Sequence, residues 1–108
     1  IQIGGNWCPW CHRLHQFFES DFKADSVIQK NYVVLKINYS KENKNLPVLS
    51  QLDYPQRFGF PVLVILNRDG NRIHTQDTAL LELDKGYDPE ILLRFLENWT
   101  SQAINPAS

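Results

Sequence analysis

The sequence predicts an α/β fold built on a central mixed sheet flanked by helices, in the order β-α-β, a linking helix, then β-β-α. Two runs rich in β-branched residues, at residues 32–38 and 62–66, are continuous enough to be strands buried in a sheet. Two stretches carry apolar residues at three-to-four spacing, one after Cys8 and one after Asp88-Pro89, and read as amphipathic helices. Asn67-Arg68-Asp69-Gly70 sits between two strand signals and reads as a hairpin turn, which supplies the antiparallel pair.

The elements follow in order. Residues 1–5 hold two isoleucines in weak alternation and predict a first strand. Asn6 and Trp7 form the turn into a helix, with Pro9 in its first turn, where a missing N–H costs nothing. That helix is expected to run to about Phe22, its inward stripe being Cys11, Leu14, Phe17 or Phe18, and Phe22. Cys11 then faces inward and Cys8 sits at the exposed tip. Asp25-Ser26-Val27-Ile28 predicts a short further helical turn, and residues 32–38 a buried parallel strand reached by a right-handed crossover. Asn45 is placed to cap a short helix carrying Leu46, Leu49 and Leu52, which Tyr54-Pro55 ends. Residues 62–66 give the strongest strand signal, followed by the hairpin turn and a short strand at residues 72–74. Residues 75–87 are mixed, with a turn of helix within 78–83; Glu82, Asp84 and Lys85 read as a solvated loop face. Asp88 caps the last helix, with Pro89 next and Ile91, Leu92, Phe95, Leu96 and Trp99 on its apolar stripe.

The chain has 108 residues, which predicts one domain with its core in about residues 1–100 and a frayed polar tail. The formal net charge of -1 points away from a nucleic-acid surface. No apolar run approaches the ~20 residues of a membrane helix. The first strand begins at residue 1, so the natural N-terminus is expected to lie upstream.

Chemistry is concentrated in Trp7-Cys8-Pro9-Trp10-Cys11-His12, which holds both cysteines of the chain. Thiols at i and i+3 on the first turn of a helix lie close enough for a small-ring disulfide. The positive end of the helix dipole there favours a thiolate, the reactive form of cysteine. A strand feeding a Cys-x-x-Cys that opens a helix is a redox motif.

At these residues the chain resembles the thioredoxin superfamily. Trp7-Cys8-Pro9-Trp10-Cys11 is similar to its W-C-x-x-C motif, and Gly59-Phe60-Pro61-Val62 to its G-[IVTF]-P-[TV] segment. The resemblance covers residues 1 to about 100 and lacks the first strand and helix of full-length thioredoxin. Bacterial thioredoxin-like proteins with G-x-W-C-x-x-C-[HR] motifs are the most similar subgroup. The resemblance implies a thiol–disulfide oxidoreductase with a redox-active Cys8–Cys11 disulfide, Cys8 attacking and Cys11 resolving. It implies a cis Pro61 packed over the disulfide, a Phe60 backbone that pairs with an extended substrate, and a Trp7 that covers the site. Pro9 and Trp10, between the cysteines, would set the redox poise, between roughly -270 and -120 mV. The superfamily's buried acid, six residues before the first cysteine, is replaced by Gln2, while its partner lysine is matched by Lys36. The implied partners are protein substrates bearing thiols or disulfides, plus a partner reductase or oxidase. No cofactor or metal is implied, and an exported, for example periplasmic, setting is favoured over the cytoplasm.

Four other readings stand beside this one. A thioredoxin-like module that binds peptides without catalysis would use the groove at Phe60 and Pro61. Cys8-x-x-Cys11-His12 also has the letters of a haem c attachment site, but the chain has no methionine for the usual second axial ligand. A zinc site from Cys8, Cys11, His15 and His74 lacks a second cysteine pair. The cysteines could also be structural. His12 reads as a solvated residue tuning local charge ahead of the alternative of a catalytic base, His15 and His74 as surface residues, and Lys36 either as a proton-transfer partner or as a lysine reaching solvent.

Overall fold

The computed structural model describes residues 1–105. Four strands form one mixed sheet in the order β2-β1-β3-β4: Gln2–Gly4 (β1), Lys36–Asn38 (β2), Val62–Leu66 (β3) and Arg72–Asp77 (β4). β1 pairs with β2 in parallel, Ile3 opposite Ile37, and with β3 antiparallel, Ile3 opposite Val62. β3 and β4 form the expected hairpin. Its turn is held by Asn67, whose Oδ1 accepts from the backbone N–H groups of Asp69 and Asn71, and by Gly70 at φ 83°.

Alternation along β3 distributes the core between the two faces of the sheet. Leu63 and Ile65 join Leu14, Ala24, Leu92, Phe95 and Leu96 beneath three helices: Pro9–Ser20 (α1), Phe22–Asn31 (α2) and Pro89–Asn98 (α4). Val62 and Val64 join Ile3, Leu49 and Leu52 on the other face, beneath the short helix Leu46–Gln51 (α3). A strand covered on both sides needs apolar residues at every position, which is why residues 62–66 read so clearly.

Several elements depart from the sequence-based expectation. The first helix ends at Ser20, not Phe22, because Asp21 serves two helices. Its backbone N–H donates to Phe17 O at 2.9 Å, closing α1, and its carboxylate accepts from Ala24 N at 2.9 Å, opening α2. The turn expected at residues 25–28 is therefore part of a ten-residue helix. The strand expected over residues 32–38 is neither that long nor buried. Only Lys36–Asn38 pairs, and Val33 keeps 89% of its surface. β2 is an edge strand, so its β-branched run lacks a second neighbour to cover it. Asn45 does not cap α3 through its side chain; at φ 49° it turns away and its Nδ2 donates to Asn38 O.

The 75–87 region is more ordered than its composition implies. β4 extends to Asp77, Thr78–Leu81 forms a 3₁₀ turn, and Glu82–Leu83 (β5) pairs with Gly86–Tyr87 (β6). Asp88 caps α4 as expected, accepting from Glu90 N and Ile91 N. The tail expected to fray continues into a short helix, Ser101–Ile104 (α5), capped by the Thr100 hydroxyl. Residues 106–108 of that tail lie outside the described residues.

Candidate active site

Cys8 and Cys11 lie where β1 ends and α1 begins. The chain leaves β1 at Gly4, turns through Gly5, Asn6 and Trp7, and enters α1 at Pro9. Cys8 is the residue before the helix, in extended conformation, and its N–H donates to Gly5 O at 3.2 Å. Its sulfur accepts from the backbone N–H of Cys11 at 3.2 Å and so acts as the side-chain cap of α1. Cys8 and Cys11 form a disulfide across one helical turn, with Cα atoms 5.2 Å apart. Cys11 is buried as expected, but Cys8 is not an exposed tip: it keeps 3% of its surface, less than the 8% of Cys11. A capping side chain must fold back onto the first turn to reach its N–H groups, and that movement buries the sulfur.

Phe60 and Pro61 arrive from the neighbouring strand. The Phe60–Pro61 peptide bond is cis and Pro61 is fully buried. Ile3 faces Val62, so continuing the antiparallel register places Pro61 opposite Gly4, at the strand end that feeds the cysteines. Gly4 itself touches this arrangement, since a methyl group there would overlap Cys11 Sγ. The buried Thr78 hydroxyl donates to Pro61 O at 2.6 Å and ties the 3₁₀ turn to this loop.

Aromatic side chains flank the disulfide on both sides. Trp7, 54% exposed, packs edge-on against Phe60 with centroids 5.5 Å apart. Its Nε1–H donates to Tyr39 O at 2.6 Å, and Tyr39 in turn stacks on Phe60 at 4.6 Å. On the other side Trp10 meets Tyr87 edge-on at 5.4 Å and carries the Arg13 guanidinium over its ring at 4.5 Å. The Tyr87 hydroxyl donates to Trp10 O at 3.3 Å. The β5–β6 hairpin thus packs against the disulfide-bearing helix.

Lys36 faces Gln2 across the β1–β2 register, and its Nζ lies 3.2 Å from His15 Nδ1. His15, read from the sequence as a surface residue, also meets Glu19 Oε1 through Nε2 at 3.0 Å. An open cleft of about 440 Å³ between β1, β2 and α1 is lined by Gln2, Lys36, His15, His12 and Cys11. His74 is elsewhere: it is half-buried, not a surface residue, and stacks on Trp99 at 4.2 Å. The zinc set of Cys8, Cys11, His15 and His74 is not assembled, and among the described residues no cluster of three or more histidine, cysteine or acidic side chains is placed to hold a metal. Both thiols that haem attachment would need are bonded to each other.

A family model described as thioredoxin-like matches residues 1–68, the segment that runs from β1 through the cysteines to the end of β3. The chain belongs to the thioredoxin-like family. The sheet and its flanking helices agree with that fold. The crystal structure of a disulphide isomerase from Xylella fastidiosa Temecula1 superposes with a TM-score of 0.71 and 25% identity, over 90% of this chain and 73% of that one. No protein among the curated sequences matches. Family, fold and the Cys8–Cys11 disulfide together make this thioredoxin-like protein a thiol–disulfide oxidoreductase in the general sense. No helix among the described residues is long and apolar enough to cross a membrane.

Sequence reading missed Tyr39, Thr78 and Tyr87. Each contributes through a backbone carbonyl or ring contact made 17 to 77 residues away in the chain, which no local pattern encodes.

Proposed function

We propose that the protein exchanges disulfides with protein substrates, Cys8 being the attacking thiolate and Cys11 the resolving thiol. The observation that carries this is the position of Cys8 before the first turn of α1, its sulfur accepting a helix N–H and bonded to Cys11. The N–H groups and dipole at that end favour negative charge on sulfur. In the reducing direction Cys8 attacks one sulfur of a substrate disulfide. A Cys8–substrate bond forms, and the other substrate sulfur leaves as a thiolate. Cys11 then attacks Cys8 Sγ, the internal disulfide forms, and the second substrate thiolate departs.

The supporting residues take the following roles. The wall of Trp7 and Phe60 receives an apolar segment of substrate beside the disulfide. Pro61 closes the site from the next strand, and Pro9 starts the helix that carries the dipole. Trp10 is anchored by Tyr87 and adds bulk without charge between the cysteines. Lys36 borders the cleft behind Cys11. The likeness to a disulphide isomerase supports rearrangement of protein disulfides in an oxidising, exported compartment, with an oxidase or reductase resetting the pair.

A Cys11→Ser variant should accumulate mixed disulfides with a disulfide-bearing protein substrate, visible on a non-reducing gel and lost on reduction. A Cys8→Ser variant should accumulate none. Absence of trapped species in Cys11→Ser, with Cys8 intact, would overturn the assignment. The exposed aromatic wall also suits a non-catalytic peptide-binding module. That reading predicts that Cys8→Ser keeps its affinity for extended peptides and that the wild type does not reactivate a scrambled disulfide protein.

A further inference from the structure

The chemistry above needs the buried Cys11 thiol to lose a proton before it attacks Cys8, and no acidic side chain lines the cleft that reaches it. The ionisable side chains bordering that cleft, apart from Cys11 itself, are His12 and His15 from α1 and Lys36 from β2; the facing residue of β1, Gln2, carries no charge. His15 is one helical turn beyond Cys11, on the same face of α1, and Glu19 is one turn further. His12 is the next residue after Cys11, rotated away around the helix, and its Nε2 is engaged with Asn6 O at 2.8 Å.

The partners of His15 define its state. Lys36 can only donate, so Nδ1 accepts from it; the Glu19 carboxylate accepts from Nε2–H. A neutral imidazole with its proton on Nε2 satisfies both bonds. Its remaining basic site is Nδ1, on the Lys36 side of the cleft. Lys36 is exposed, and with its ammonium turned to solvent Glu19 would hold an imidazolium in place.

Resting on the oxidoreductase reading, we propose that His15, oriented by Glu19 and Lys36, takes the Cys11 proton through the cleft during resolution of the mixed disulfide. The Cys11 S–H bond breaks and its proton passes to His15 Nδ1 by way of water. The resulting thiolate attacks Cys8 Sγ. The Cys8–Cys11 bond forms, the Cys8–substrate S–S bond breaks, and its electron pair leaves on the substrate thiolate. The imidazolium returns its proton to that thiolate or to solvent. Imidazole suits the task because it changes charge near neutral pH.

The test uses reduced protein and an aromatic disulfide whose released thiolate is coloured. The first release reports attack by Cys8, and the second reports resolution by Cys11. In the wild type the second rate should rise with pH and show the bend of a single ionising base. In His15→Gln that bend should disappear and the second rate fall about tenfold or more at neutral pH, less than the roughly hundredfold of a well-sequestered base because the open cleft admits water. His12→Gln should keep the bend. The first release should be unchanged in both variants, which also establishes that they are folded. An unchanged second phase in His15→Gln, or loss of the bend in His12→Gln alone, would overturn the proposal. Absence of a second release in the wild type would instead overturn the exchange mechanism beneath it.

Discussion

Gly4 is the residue at which strand and disulfide come closest. Any side chain there would overlap Cys11 Sγ, so the last residue of β1 has to be glycine for the sulfur to sit beside it. Gly4→Ala should cost about 1–3 kcal/mol, the usual penalty for forcing a methyl group into a filled space. The loss should be larger in the oxidised protein, where the bond to Cys8 fixes the sulfur, than in the reduced protein, where the thiol can rotate away. Thermal melts of the two redox states check this; equal losses would mean that the strand, not the sulfur, absorbs the strain. Gly5 is constrained in a different way, since a methyl there would press on the Trp7 indole and on Tyr39 O. Adjacent glycines thus make room for the disulfide and for the aromatic wall beside it.

At the scale of elements, Asp21 sets the direction in which the disulfide-bearing helix ends. It caps two helices with two different groups, so α1 and α2 can meet at an angle without leaving backbone donors bare. Asp21→Ala removes the cap of α2 and keeps the backbone bond that closes α1. It should lower stability by about 0.5–2 kcal/mol and the melting temperature by roughly 2 to 8 °C, with Asp21→Asn recovering most of the loss. A melt unchanged in Asp21→Ala would contradict this role. The β5–β6 hairpin is the second element with a defined duty. Its short strands could not persist alone. Tyr87 ties it to α1 by a ring contact and a hydrogen bond, while Leu81 and Tyr87 enter the core.

Two tyrosines on the helical face make the whole molecule sensitive to alkali. Tyr32 donates to Leu96 O at 2.6 Å and Tyr87 to Trp10 O at 3.3 Å, and burial pushes both phenols up to about 12. The unfolded chain releases these protons near pH 10, so above that pH it binds fewer protons than the folded chain. The stability they contribute is complete below pH 10 and is lost as pH rises to about 12. Melting temperature should therefore fall through that interval, and Tyr32→Phe or Tyr87→Phe should flatten the fall. Spectrophotometric titration gives the companion measurement: two of the four phenols should ionise only near the top of the range. Parallel curves for wild type and both variants would show that other groups govern alkaline unfolding.

The cysteine motif, the start of α1, the strand at residues 62–66 and the capped last helix were legible in the sequence, because each is encoded by neighbours in the chain. Pro9 and Asp88 specify helix starts within one turn, and an uninterrupted apolar run specifies a strand covered on both faces. The extent of β2 was not legible. Residues 32–38 have the composition of a buried strand, and only the sheet order leaves them at an edge. The ties from Tyr87 and Thr78 and the meeting of Lys36 with His15 were decided by tertiary structure. Those contacts join residues 17 to 77 positions apart, and they exist only once the sheet brings separate strands and helices to one end. Local sequence placed the two thiols together at a helix start; the environment that directs their chemistry came from the packing of the rest of the chain around them.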